Sequence, residues 1–153
     1  MELVILCGLQ ASGKTSFRRE RFPDHTVVSK DLMRNNRRKD RRQSELVTEA
    51  LALGRSVIVD NTNPTIADRE SLIELGRVTG ATVVGYFFDT DFDDCVRRNA
   101  SRTGKELVPR VGLIDVARRL ETPTLSEGFD QLWVVRPING RFEVTPVLAE
   151  VDS

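Results

Sequence analysis

Imidazole, sulfur and aromatic rings are all scarce in this chain. Its 153 residues include one histidine, His25, two cysteines, one tryptophan and one tyrosine. A single imidazole excludes chemistries that need two or three, most zinc hydrolase sites among them. Cys7 and Cys95 form no C-x-x-C pair and lie in apolar stretches, as expected of reduced core thiols in a cytoplasmic protein. No apolar run approaches the length that spans a bilayer. The opening segment Met1–Cys7 is a poor secretory leader, because residue 2 is Glu and Lys14 interrupts before any cleavage site; a buried strand is the better reading. Low-complexity tracts, repeats and linker-like stretches are missing too. The expectation is one domain over residues 1–153, large enough to bury a core without disulfides or metals.

Net charge is absent only in the sum. Residues 1–42 carry 11 Lys/Arg against 5 Asp/Glu, and residues 43–153 carry 12 against 18, so the two ends are oppositely charged.

What is present alternates between two periods. Leu3–Cys7, Ser56–Val59 and Ala81–Phe88 are continuous apolar runs, the pattern of strands covered on both faces. Thr26–Val28 and Gln131–Arg136 add shorter strands, and Arg141–Val147 reads as an antiparallel edge. Between them lie helical patterns. They run from Thr15 to Arg21, around Leu46–Leu53, from Thr65 to Thr79 with Pro64 before and Gly80 after, around Cys95–Val96 with Asp91 as a cap, and from Leu113 to Leu120. Alternating strands and helices predict an α/β fold of three layers, with a mainly parallel central sheet and helices on both faces.

Gly8-Leu9-Gln10-Ala11-Ser12-Gly13-Lys14-Thr15 matches G-x-x-x-x-G-K-[ST] at every fixed position, directly after an apolar strand and at the opening of a helix. That is the P-loop of nucleoside-triphosphate-binding proteins. The glycines let the backbone curl so that N–H groups of Ala11, Ser12, Gly13 and the first helical residues through Ser16 converge on phosphate. Lys14 then reaches the β/γ-phosphates, and the Thr15 hydroxyl ligates Mg²⁺. A plain strand-to-helix turn has no use for Lys14-Thr15. The implied ligands are ATP and Mg²⁺.

Phosphoryl transfer also needs an acceptor-side base, a second carboxylate near the metal and cations over the transferring group. Asp31 follows the second strand and suits the base, with Arg34 one turn later for an acceptor phosphate; the plainer reading makes Asp31 an N-cap. Asp60 ends an apolar strand, as a metal-assisting carboxylate does, although strand-ending Asp residues also form turns. Asn61, Thr62 and Asn63 add polar groups there, more than a turn needs. Arg98 and Arg102 sit in a basic segment at about 97–110 that reads as a lid over ATP, with a solvated helix end as the alternative for Arg97. Arg34, Arg37, Arg38, Lys39, Arg41 and Arg42 against Asp40 form a strip suited to a polyanion backbone, or else a solvated face.

Four blocks in order resemble the kinase domain of phage-type and end-healing polynucleotide 5′-hydroxyl kinases: Gly8–Thr15, Asp31-Leu32-Met33-Arg34, Asp60-Asn61-Thr62-Asn63-Pro64, and Arg98–Arg102 leading to Val108-Pro109. The similarity covers most of Met1–Val135. It implies Asp31 as general base, Arg34 on the acceptor's 3′-phosphate side, Asp60–Asn63 near acceptor and metal, and Arg102 on the ATP phosphates. It also implies nucleic acid 5′-hydroxyl ends as substrate and an end-healing or ligase protein as partner, with no membrane. Gln10-Ala11 departs from the Pro-Gly common in that P-loop. In some members the acid of the third block stands at the place of Asn61, which leaves open what Asp60 touches. With no phosphatase or ligase module present, the expectation is a stand-alone kinase or an excised domain. The rivals are a small-molecule kinase of the gluconate or antibiotic type, and an ATP-binding module without transfer.

Overall fold

The computed structural model of the protein describes residues 1–33 and 37–149. Six strands form one sheet in the order β2-β3-β1-β4-β5-β6. They are β1 (Glu2–Cys7), β2 (Thr26–Val28), β3 (Val57–Val59), β4 (Thr82–Phe88), β5 (Gln131–Ile138) and β6 (Arg141–Pro146). The first five are mutually parallel, and β6 returns antiparallel to β5. Among the described residues five α-helices connect them: α1 (Lys14–Arg21), α2 (Lys39–Ala52), α3 (Ile66–Thr79), α4 (Phe92–Ala100) and α5 (Arg110–Arg119). The predicted three-layer α/β architecture is therefore the one observed.

The run Leu3–Cys7 is apolar throughout because β1 lies at the centre of the sheet and feeds both layers. Leu3 and Ile5 join Val47, Leu51, Leu72 and Ile73 beneath α2 and α3. Val4 and Leu6 face the other way, against Phe17 of α1 with Ile58, Val84, Phe88 and Val135. A third cluster, Leu9, Cys95 and Val116, sits beneath the loop after β1 and braces it against α4 and α5.

Local signals set the boundaries. Thr65 and Asp68 form a reciprocal capping box on α3, and Gly80 closes that helix at φ 77°. Asn139-Gly140, at φ 50° and 75°, make the two-residue turn that pairs Ile138 with Arg141 and fixes the register of β6. Elsewhere the outcome differs from expectation. Asp91 occupies the N-cap position of α4 but its side chain makes no cap hydrogen bond. The helix expected at Leu113 starts at Arg110, immediately after Pro109. Among the described residues no helix is long and apolar enough to cross a membrane.

Candidate active site

Parallel strands deliver their carboxyl ends to one edge of the sheet, and the loops after β1, β2, β3 and β4 meet there. Gly8 leaves β1 with no room for a side chain, since a Cβ would stand 2.9 Å from Cβ of Phe88. Its N–H donates to the Thr62 carbonyl at 2.9 Å, tying the loop to the block after β3. Gly13 sits at φ 100° as the N-cap residue of α1. Ala11 holds φ 60°, a conformation that costs a residue with a Cβ roughly 1–2 kcal/mol. The alanine that replaces the glycine of the resembling P-loops thus falls where the loop is bent left-handed. Ser12 is fully buried, and Ser16 is exposed on the first turn of α1.

Lys14 folds back into this curl. Its Nζ donates to the carbonyls of Gly8 at 2.9 Å and Leu9 at 2.6 Å and approaches the Ser12 hydroxyl at 3.4 Å. Burial pushes its pKa down to about 8, opposed by the Asp60 carboxylate. The folded chain therefore releases this proton at lower pH than the unfolded chain does. The resulting penalty is full below about pH 8 and fades toward pH 10.5, the ordinary lysine value. Lys14→Met removes the titration. Wild type is expected to gain stability relative to Lys14→Met as pH rises from 8 to 10.5, read by denaturant unfolding at each pH. A gap that stays constant over that window would contradict the buried ammonium.

The two metal candidates come together. Thr15 Oγ1 donates to Asp60 Oδ2 at 2.9 Å, and Asp60 is nearly buried at 9% exposure. Arg18 Nε donates to the same oxygen at 3.0 Å. Sequence reasoning missed Arg18, although its place three residues after Thr15 on α1 puts it on the same helix side. A hydroxyl and one carboxylate are hard oxygen donors that fit Mg²⁺, which Thr15 and Asp60 would hold. Among the described residues no group of three His, Cys, Asp or Glu side chains forms a metal cage.

Beyond Asp60 the block divides its work. Asn61 reaches sideways: its Oδ1 accepts from the Lys30 N–H at 2.8 Å, and its Nδ2 donates to Gln43 Oε1 of α2 at 2.6 Å. Asn63, at φ 43° and 4% exposed, donates through Nδ2 to the Leu6 carbonyl at 2.7 Å. Its amide ties the end of β3 to β1. Buried Gln43 is a second residue that the sequence pattern did not single out.

Asp31 lies in a short 3₁₀ turn, Lys30–Leu32, after β2. The cap of that turn is Ser29, whose Oγ accepts from the Asp31 N–H at 3.3 Å, so the N-cap reading of Asp31 is replaced. Asp31 is exposed, and among the described residues no hydrogen bond or ion pair engages its carboxylate. Arg34 lies outside the described residues.

The basic segment at 97–110 joins α4 to α5. Asn99 clamps its two ends, with Nδ2 donating to the Val108 carbonyl at 2.7 Å and Oδ1 accepting from the Val108 N–H at 2.9 Å. Arg98 comes within 3.7 Å of where a Cβ on Gly13 would stand, and the Phe142 ring within 3.2 Å. Arg102 is half-buried, bonds weakly to the Glu106 carbonyl at 3.3 Å, and lies near enough for its charge to oppose protonation of Lys14. Arg98 and Arg102 thus border the P-loop, while Arg97 is exposed and paired to Asp94.

Known proteins resemble this chain in sequence or in fold. The chain is 25% identical over 134 residues to a bifunctional polynucleotide phosphatase/kinase of Schizosaccharomyces pombe, covering 84% of this chain and about a third (32%) of that protein's length. Its fold matches a gluconokinase from Sinorhizobium meliloti at TM-score 0.65 and 19% identity, over 88% of this chain and 82% of the other. It matches a fungal RNA kinase at TM-score 0.66 and 17% identity, over 88% of this chain and 38% of the other. Residues 3–123 match the family model described as an AAA domain, and the chain belongs to that family of P-loop proteins.

Proposed function

We propose that this protein transfers the γ-phosphoryl group of ATP to the 5′-hydroxyl end of a DNA or RNA strand. The observation that carries the reading is Asp31. It is an exposed carboxylate with no capping duty, on a turn whose backbone is pinned to the P-loop side of the sheet through Asn61. A nucleotide-binding module without transfer has no use for such a group. The likeness to the polynucleotide phosphatase/kinase supports the acceptor class, and so does the basic surface beside Asp31.

The roles follow from position. Backbone N–H groups of Ala11–Ser16 hold the β- and γ-phosphates at the positive end of α1, and Lys14 turns from its carbonyls to the phosphate oxygens. Thr15 and Asp60 would hold Mg²⁺, directly or through water, and the ion would supply charge neutralisation across the β/γ bridge. Asp31 accepts the proton of the attacking hydroxyl as its oxygen bonds to phosphorus. Arg98 and Arg102 stand ready to close on the charge of the transferring group, with Asn99 holding the lid's base.

A second reading, a small-molecule kinase, is favoured by the likeness to the gluconokinase. The two are separated by offering labelled ATP and Mg²⁺ with 5′-hydroxyl oligonucleotides in one pool and gluconate and other sugars in another. Label is expected in the oligonucleotide pool. Label in the sugar pool alone would replace the nucleic-acid reading with the small-molecule one.

A further inference from the structure

Arg18 of α1 places a cation where a metal-holding site has no plain use for one. Its Nε donates to Asp60 Oδ2 at 3.0 Å, and the Thr15 hydroxyl donates to the same oxygen at 2.9 Å. That oxygen already accepts two hydrogens. The ion pair is sheltered, with the Arg18 and Asp60 side chains 18% and 9% exposed, so salt and solvent screen it less than a surface pair. Among the described residues the Arg18 guanidinium makes no other hydrogen bond or ion pair. Asp60 is the group it serves.

The charges around that carboxylate are lopsided. Asp60 is also the carboxylate that most favours the Lys14 ammonium. Two cations, Lys14 and Arg18, thus meet on one acid, and Arg102 adds to the positive field at Lys14. A bare divalent cation approaching Thr15 and Asp60 meets net repulsion. The same ion carried on a triphosphate arrives with an excess of negative charge and is drawn in. Thr15 spends its proton on Asp60 and keeps its lone pairs for a metal, while the charge of Asp60 is already spent within the protein.

We propose that Arg18 is a positioning residue that bars a bare divalent cation from the Thr15–Asp60 pair by neutralising the carboxylate. The pair then accepts a cation only together with nucleotide phosphates. The inference rests on reading Thr15 and Asp60 as the metal-holding pair, and not on the identity of the acceptor. It gives Arg18 a use in turnover. A pair neutralised from within has no charge to retain a divalent ion once the nucleotide departs.

Equilibrium dialysis of Mn²⁺ alone, or with ADP on both sides of the membrane, reads the ion held by the protein. The proteins are wild type, Arg18→Gln, Arg18→Lys and the double variant Arg18→Gln/Asp60→Asn, with thermal unfolding to confirm that each is folded. Wild type should hold Mn²⁺ with ADP, and at least about tenfold more weakly without it. Without ADP, Arg18→Gln should bind Mn²⁺ at least about tenfold more tightly than wild type, because a full charge has left the neighbourhood of a divalent ion. Arg18→Lys restores that charge and should stay near wild type. The double variant should lose the gain, since Asp60 is the group that Arg18 masks. Equal affinities of wild type and Arg18→Gln for Mn²⁺ alone, or a gain that survives in the double variant, would overturn the proposal and leave the metal pair standing. Mn²⁺ bound by wild type as tightly without ADP as with it would do the same. Failure of wild type to hold Mn²⁺ even with ADP would sink the metal pair itself, and the proposal with it.

Discussion

Asp31→Asn is expected to lower phosphoryl transfer by about 10²–10⁴-fold, the usual contribution of a positioned general base. The amide keeps the shape of the side chain and loses the ability to take a proton at neutral pH. Folding stability should move by less than about 0.5 kcal/mol, as for other exposed substitutions away from caps and cores. Ser29 is what makes the two effects separable. Its hydroxyl, not the Asp31 carboxylate, accepts the N–H that closes the turn after β2. Initial rates with a 5′-hydroxyl oligonucleotide and thermal unfolding of the same preparation give both readouts. Near-normal turnover in Asp31→Asn would remove Asp31 from the chemistry. A drop in melting temperature with turnover retained would return it to a structural role.

The spacing between the Asp31 turn and the P-loop is set by a short run of hydrogen bonds. The Gly8 N–H binds the Thr62 carbonyl, Asn61 binds the Lys30 N–H, and Gln43 of α2 holds the Asn61 amide from behind. P-loop, β3 end and β2 turn are thereby laced together. The block after β3 stands between the P-loop and the β2 turn. Asp60 faces the P-loop helix through Thr15 and Arg18, and Asn61 faces the β2 turn.

The sheet was legible because its central strands are apolar on both faces. Leu3–Cys7 and Ala81–Phe88 could hardly be anything else, and the P-loop signature placed the first helix. The start of α2 was not legible: Asp31–Arg42 has no apolar face, so no period marks Lys39 as the first helical residue. Polar side chains that work inside the protein were also hidden. Gln43 and Asn99 look like surface residues in the sequence, yet each is about 95% buried and spends its amide on a neighbouring element. Arg69 is the extreme case. It stands between Asp68 and Glu70 on α3, a context that reads as a solvated face, and it has no solvent exposure at all.

Arg69→Met is accordingly expected to be the most damaging substitution for stability, at about 3–5 kcal/mol, the usual cost of breaking a buried ion pair. The guanidinium uses its whole fork. Nε and Nη2 grip the Glu127 carboxylate at 2.8 and 3.2 Å, Nη1 donates to the Asn63 and Pro64 carbonyls at 2.9 and 3.1 Å, and Nη2 reaches the Glu121 carbonyl at 3.0 Å. Methionine fills similar volume and makes none of these bonds, so the buried carboxylate loses its counter-charge and keeps only the Thr124 N–H, and the three carbonyls lose their guanidinium donors. Arg69→Lys should fall between, since it restores charge but cannot fork. Pairing the change with Glu127→Met removes the stranded acid, so the double variant should be more stable than Arg69→Met alone. The site gives a second readout. Because Arg69 holds the backbone of Asn63 and Pro64, Arg69→Lys should loosen the frame that spaces Asp31 from the P-loop, lowering kcat for transfer at a temperature where the variant remains folded. Denaturant unfolding of wild type, Arg69→Lys, the Arg69→Met and Glu127→Met single variants and their double variant checks the energetic part. Strictly additive losses, or a cost for Arg69→Met below about 1 kcal/mol, would mean that water or a rearranged neighbour satisfies these groups and that the arginine is not what holds the strand ends together.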